Sequence, residues 1–264
     1  MNVIGVDIGG TKIAAGRVNA RGEILESHTL PTSAAEGFEV SYAQVLNAIE
    51  PLISIEIEAI GIAAPGPLDP KSGVILNPPN LPGWCNIQLT HRIEERFQKP
   101  VRLENDCNAA GLAEARFGAA RGFASVFYAA IGTGIGAGII LDGKIYHGKN
   151  GAAAEAHATI DYRGPVICNC GIPGCIEGIA SGRAVHGNVD EIATRLAAWL
   201  GGVVSLLDPD IIVIGGGVSK IGAPLLDRLI SEIPMWTVNP YADQTPIVPA
   251  QFDTGIVGAA SLWL

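Results

Sequence analysis

The sequence predicts an α/β protein made of two related halves, and three observations carry that prediction. Short apolar runs that stop at glycines alternate with longer segments of helical spacing. A strand, glycine turn, strand unit near the start returns in the middle of the chain, a repeat too long for a solenoid. The 264 residues are 48% hydrophobic and include 34 Gly and 17 Pro without a collagen-like period, which suits a compact chain with many tight turns. That length can bury one large core or two smaller ones.

Val3 to Val6 reads as a buried strand, and Asp7-Ile-Gly9-Gly10-Thr11-Lys12 turns the chain into a second strand, Ile13 to Val18, followed by a turn at Asn19 to Gly22. Helical spacing marks Tyr42 to Ile53, Thr90 to Phe97 and Asn108 to Phe117, separated by strands at Ala59 to Ala63 and Val101 to Leu103. The repeat then begins. Ser125 to Ala130 is a strand, Ile131-Gly132-Thr133-Gly134-Ile-Gly136 a glycine turn, Ala137 to Leu141 a strand, and Asp142-Gly143 the next hairpin signal. Asp190 to Leu207 reads as a helix, Ile211 to Ile214 as a buried strand, and Gly215-Gly216-Gly217 as a turn into a helix around Pro224 to Ile233. Ile256 to Leu264 is expected as a terminal helix.

A net charge of −9 disfavours nonspecific contact with nucleic acid or an anionic membrane, so an anionic ligand must be held by local backbone donors. No apolar run approaches the roughly 20 residues of a spanning helix, and no leader pattern follows Met1. Five cysteines, three of them clustered, point to a reducing compartment, and the expected location is the cytoplasm.

That cluster reads Cys168-Asn-Cys170-Gly-Ile-Pro-Gly-Cys175, with His157 upstream in Glu155-Ala-His157. Three thiols and an imidazole form a tetrahedral zinc set, closed to substrate and therefore structural. A disulfide or free buried thiols are the alternatives. The Asp7-x-Gly9-Gly10-Thr11 turn can cradle phosphate with successive N–H groups; Lys12 and the Thr11 hydroxyl add donors, and Asp7 could hold magnesium through waters. A single such turn is commonly only a β-turn, whereas two in a repeat fit nucleotide phosphates gripped from both sides. Neither matches a P-loop or a dinucleotide fingerprint. In Glu104-Asn105-Asp106, between a strand and a helix, Asn105 or Asp106 can cap the helix, and Asp106 can also accept a proton from an attacking hydroxyl. Asn80, Asn105, Glu155 and Glu177 carry amides and carboxylates able to exchange hydrogen bonds with ligand hydroxyls, and solvated surface positions are the alternative for the two glutamates.

Taken together and in this order, Asp7 to Lys12, Glu104 to Asp106, Gly132 to Gly136, Cys168 to Glu177 and Gly215 to Gly217 resemble the repressor/kinase (ROK) family of bacterial sugar kinases over nearly the whole chain. The resemblance implies a two-lobed, actin-like, ribonuclease-H-like fold, with ATP and magnesium in a cleft between the lobes and a hexose or N-acetylhexosamine as acceptor. Residues 1–105, joined by the helix 254–264, are expected as the smaller lobe, and 106–253 as the larger lobe carrying the zinc loop. By position, Asp106 is implied as the base, Asn105, Glu155, His157 and Glu177 as sugar contacts, and Gly215 to Gly217 as lying against the adenosine. The loop Asn77 to Trp84 resembles the one that glucose kinases of the family use near the sugar, with Trp84 able to stack on a pyranose or to bury itself. No helix-turn-helix is expected, since the first strand begins at Val3.

Two places depart from the family pattern. Glu155 and His157 are two residues apart where the family has three with a glycine between, and after Ser181-Gly-Arg183-Ala-Val-His186 the chain enters the helix Asp190 to Leu207 almost directly. The expected reaction is γ-phosphoryl transfer from ATP to the 6-hydroxyl of glucose. The alternatives are an N-acetylglucosamine, N-acetylmannosamine or fructose kinase, or a sugar sensor without turnover. Polyphosphate in place of ATP stays open, as does oligomeric state, with a homodimer as one outcome.

Overall fold

The computed structural model describes residues 1–184, 188–252 and 255–264. His186 lies outside the described residues. Two compact units emerge, Met1–Phe117 with Thr254–Leu264, and Gly118–Asp253.

In the first unit β1 (Asn2–Ile8), β2 (Lys12–Asn19) and β3 (Ile24–Pro31) form an antiparallel meander, followed by α1 (Phe38–Ile49) and by β4 (Ile57–Ala64), which pairs parallel with β1. The short strands β5 (Leu68–Asp69), β6 (Val74–Ile75) and β7 (Ile87–Gln88) make a small second sheet. Then come α2 (Leu89–Phe97), β8 (Val101–Asn105), parallel to β4, and α3 (Asp106–Arg116). The main sheet has the order β3-β2-β1-β4-β8. One face, carrying Ile4, Val6, Ile60 and Ile62, packs on Val45 and Ile49 of α1 and Leu89 and Ile93 of α2. The opposite face, with Val3 and Ala59, meets Ile256 and Ala260 of the C-terminal helix. Coverage of both faces explains why β1 and β4 read as continuous apolar runs.

The second unit repeats this plan. β9 (Ser125–Ile131), β10 (Ile135–Leu141) and β11 (Lys144–Ile145) are antiparallel, α4 (Ile176–Ala180) and α5 (Val189–Leu207) follow, and β12 (Ile211–Gly215) runs parallel to β9. After α6 (Ala223–Glu232), β13 (Ile247–Pro249) pairs parallel with β12. The order β11-β10-β9-β12-β13 reproduces that of the first sheet, position for position and direction for direction. Its core joins Phe127, Ile212 and Ile214 to Leu196, Trp199 and Leu200 of α5, with Phe127 edge-on to Trp199. The last helix, α7 (Gly255–Ala260), returns to the first unit. This duplicated arrangement is the actin-like architecture that the family resemblance implies, and the sequence repeat marks its two halves.

Several expectations shift. α3, expected at the start of the larger lobe, groups with the first unit, where Ala109 packs with Ala63 and Ala259. β3 gives no sequence signal because it is largely exposed and carries Glu26, Ser27, His28 and Thr29 in its middle. α1 starts four residues before Tyr42 and ends at Ile49, where Pro51 takes over in a 3₁₀ turn. α7 stops at Ala260, and the chain end is held by Arg102 and Arg116, which donate to the carbonyls of Leu262 and Ser261. No helix among the described residues is long and apolar enough to cross a membrane.

Candidate functional site

In the first unit the candidate residues collect at the carboxyl ends of β1, β4 and β8. Asp7 pairs with Ala63 across β1 and β4, and Ala63 pairs with Glu104 across β4 and β8, so three chain segments deliver Asp7 and Asp106 to one place. Asn105 is the cap of α3: its Oδ1 accepts from the N–H groups of Cys107 (2.9 Å) and Asn108 (3.3 Å). The cap role therefore falls to Asn105, and Asp106 accepts from the Cys107 N–H, at 2.8 Å, and from the side chain of Asn105, beside an exposed face. Buried Glu104 holds the corner, with Oε1 accepting from the Asn105 N–H at 2.9 Å and from Asn108 Nδ2 at 3.0 Å.

Both aspartates hold protons more tightly than free carboxyls, and the charge of Asp106 contributes to this at Asp7. Desolvation and the charge of Asp106 push Asp7 up to about 6, while Lys12 and a hydrogen bond from the Gly255 N–H pull in the opposite direction. Asp106 is also raised, chiefly because surrounding protein displaces water from it, with the Cys107 N–H opposing.

The turn from β1 to β2 closes with the Gly9 N–H donating to the Lys12 carbonyl at 2.9 Å. Thr32, fully buried and not singled out by the sequence, clamps it from behind: its Oγ1 donates to the Gly9 carbonyl (2.6 Å) and its N–H to the Thr11 carbonyl (3.0 Å). Thr11 and Lys12 stay exposed. Gly10 needs no left-handed φ; it is glycine because a Cβ would stand 2.8 Å from the Asn80 carbonyl oxygen. Asn80 itself is exposed, so the loop Asn77 to Trp84 lies against this turn. Trp84 does not offer a stacking face: it is fully buried, donates Nε1 to Ser41 Oγ at 2.7 Å, and packs edge-on to Phe38.

In the second unit the turn Gly132-Thr133-Gly134 closes with the Gly132 N–H donating to the Gly134 carbonyl at 2.9 Å. It too is clamped from behind, by the Gly182 N–H on the Gly132 carbonyl (2.7 Å) and Arg183 Nε on the Thr133 carbonyl (3.2 Å). A Cβ on Gly132 would meet only the Gly217 nitrogen, at 3.8 Å, and one on Gly217 nothing within 4 Å, so both border open space. Gly215 and Gly216, by contrast, are needed for packing against Tyr128 and Ile131.

His157, Cys168, Cys170 and Cys175 bring one ligand atom each to within 4.8 Å of one another. Nδ1 of His157 lies 3.5 Å from Cys168 Sγ and 3.6 Å from Cys175 Sγ. A tetrahedral zinc with bonds of about 2.3 Å to sulfur and about 2.0 Å to nitrogen has N···S edges of about 3.5 Å, so the cluster matches the metal's dimensions. Burial, with the Glu177 carboxylate adding to it, pushes the Cys168 thiol up to about 12. Cys170, against an opposing push from burial, is drawn down to about 7 by the Ile172 N–H and by His157, Cys168 and Cys175. A divalent cation deprotonates such thiols outright. Glu177 stands beside the cluster, its Oε2 3.6 Å from His157 Nε2. Glu155 is exposed and is not among the converging residues; Ala154 before it has φ 66°, a left-handed conformation uncommon for a residue with a side chain.

The ROK family model matches residues 3–191 and 185–264, two pieces that overlap at 185–191. A glucokinase of Thermotoga maritima is 32% identical, aligned over 99% of this chain and 97% of its own length. One from Streptomyces coelicolor is 34% identical, over 98% and 96%. Among solved structures, the ROK hexokinase from Thermus thermophilus superposes with a TM-score of 0.85 at 34% identity, covering 99% of this chain and 97% of that one. A ROK family glucokinase from Streptomyces griseus, in complex with glucose and AMPPNP, gives a TM-score of 0.83 at 34% identity over 99% of both chains. With its duplicated sheets, paired glycine turns and Cys₃His cluster, the chain belongs to the ROK family.

Proposed function

We infer that this protein is an ATP-dependent hexose kinase that transfers the γ-phosphoryl group of ATP to the 6-hydroxyl of glucose. The observation that carries this reading is the placement of Asp106. It sits at a strand end and helix start with one carboxylate oxygen held by the Cys107 N–H, and capping is left to Asn105. A carboxyl with raised pKa and an exposed face is suited to take the hydroxyl proton as that oxygen attacks the γ-phosphorus and ADP departs. Relatives named as glucokinases, matched over nearly their full length, support the acceptor.

Positioning and charge stabilisation do most of the work in such a transfer. The two glycine turns present N–H groups, with their carbonyls occupied from behind by Thr32 in one unit and by Gly182 and Arg183 in the other. Asp7, with Lys12 nearby, is the residue that would hold hydrated magnesium, which when bound offsets charge on the phosphates. Asn80, Asn105, Glu155, His157 and Glu177 are the proposed sugar contacts; the Oδ1 of Asn105 serves the cap and its side-chain amide bonds Asp106. The Cys₃His set would hold a structural zinc, and free thiols of this kind suit the cytoplasm.

A coupled assay with ATP or polyphosphate against glucose, N-acetylglucosamine, N-acetylmannosamine and fructose tests the reading; glucose with ATP is expected to give the highest kcat/KM. Asp106→Asn should lower kcat by roughly 10²- to 10⁴-fold with sugar Kd nearly unchanged. Turnover of that variant at the wild-type rate would remove Asp106 from the mechanism.

A further inference from the structure

The second unit contains one connection that neither sugar contact nor metal binding requires. Glu177, in the first turn of α4, reaches 42 residues back along the sequence: its Oε2 accepts from the Ile135 N–H at 3.0 Å, where β10 leaves the glycine turn. The carboxylate lies directly over the turn backbone, since a Cβ on Gly134 would stand 2.4 Å from Oε2. The same oxygen faces His157 Nε2 at 3.6 Å, while His157 Nδ1 points at the sulfurs of Cys168 and Cys175.

The far end of α4 grips the turn as well. Ser181 follows its last residue, and the next N–H, from Gly182, donates to the Gly132 carbonyl at 2.7 Å. A five-residue helix therefore starts from a sulfur ligand, Cys175, and holds the glycine turn at both margins, Ile135 N–H on one side and Gly132 C=O on the other. In metal centres, the second nitrogen of a ligating histidine commonly donates to a carboxylate, which orients the ring and is oriented in return. Here that carboxylate is also the acceptor for the turn.

We propose that Glu177 is a positioning residue that ties the geometry of the Gly132 to Gly134 turn to the metal-binding loop, so that nucleotide affinity depends on this carboxylate and on metal loading. Glu177 does this through Ile135 and not through contact with the nucleotide. The proposal rests on the kinase reading for its ligand, while the contact itself can be probed without any ligand.

The test uses the metal-loaded full chain. Binding of a non-hydrolysable ATP analogue is measured by calorimetry without sugar, and amide hydrogen exchange is followed in the peptide containing Ile135. Loss of a hydrogen bond to a charged acceptor predicts roughly tenfold weaker analogue binding in Glu177→Ala and faster exchange at Ile135. Glu177→Gln keeps an acceptor oxygen and should restore most of both, which a residue serving only the sugar would not require. Stripping the metal from wild-type protein should also speed exchange at Ile135, and this arm remains if Glu177→Ala does not fold. Wild-type analogue affinity in Glu177→Ala would overturn the proposal, as would unchanged Ile135 exchange in both that variant and the metal-stripped protein. If the wild type binds no analogue at all, the kinase reading fails, and the exchange measurements still decide the coupling.

Discussion

Asp7 should make the free protein less stable at neutral pH than it would be without that charge. Burial and the neighbouring Asp106 raise its pKa from 3.8 to about 6. At about 1.4 kcal/mol per pKa unit, that shift corresponds to about 3 kcal/mol, and partial solvation leaves about 1–3 kcal/mol. The folded state holds the proton up to about pH 6, whereas the unfolded chain releases it near 3.8. Folded protein therefore binds more protons in this window, and the contribution is fully present below it and lost as pH rises through it. Asp7→Asn keeps an acceptor for the Gly255 N–H and carries no charge against Asp106. In thermal melts from pH 4 to 8, without nucleotide or added magnesium, the variant should melt roughly 3–10 °C above wild type at pH 7.5. The gap should close towards pH 4. Magnesium with nucleotide should reverse the order, because wild type binds the complex more tightly and gains stability from it. A variant no more stable than wild type at pH 7.5, or a gap independent of pH, would refute the reasoning.

The glycine turn of the second unit allows two substitutions with different signatures. Gly132→Val places its side chain in open space and should raise the nucleotide Kd at least roughly tenfold with little change in melting temperature, whereas Gly134→Val strikes Glu177 and should weaken sugar and nucleotide binding together. Calorimetry with each ligand separates them, and intact nucleotide binding in Gly132→Val would mean that the turn is structural only. Elemental analysis of protein purified without chelators should find one zinc per chain, and its absence would sink the metal assignment. Cys175→Ala should lose that metal and weaken glucose binding, because α4 and Glu177 start from this ligand; unchanged sugar affinity would separate the metal loop from the sugar site.

The local sequence determined whatever depends on near neighbours along the chain. Apolar runs closed by glycine marked β1, β9 and β12, helical spacing marked α2, α3 and α5, and two thiols one residue apart, with a third beyond Pro173 and Gly174, marked the metal loop. Each is a periodicity or a spacing, and such patterns need no knowledge of the fold. Tertiary structure decided what each residue faces. It brought Asp7 beside Asp106 through three parallel strand ends, assigned the cap to Asn105 and freed Asp106, and set buried Thr32 behind one turn and Gly182 behind the other. It buried Trp84 on Ser41 and aimed Glu177 at Ile135 as well as at His157. Apart from the Asn105 cap, which is local, these contacts join segments 20 to about 100 residues apart, where hydrogen-bond geometry and desolvation depend on the packed sheets, and no spacing within the chain encodes them.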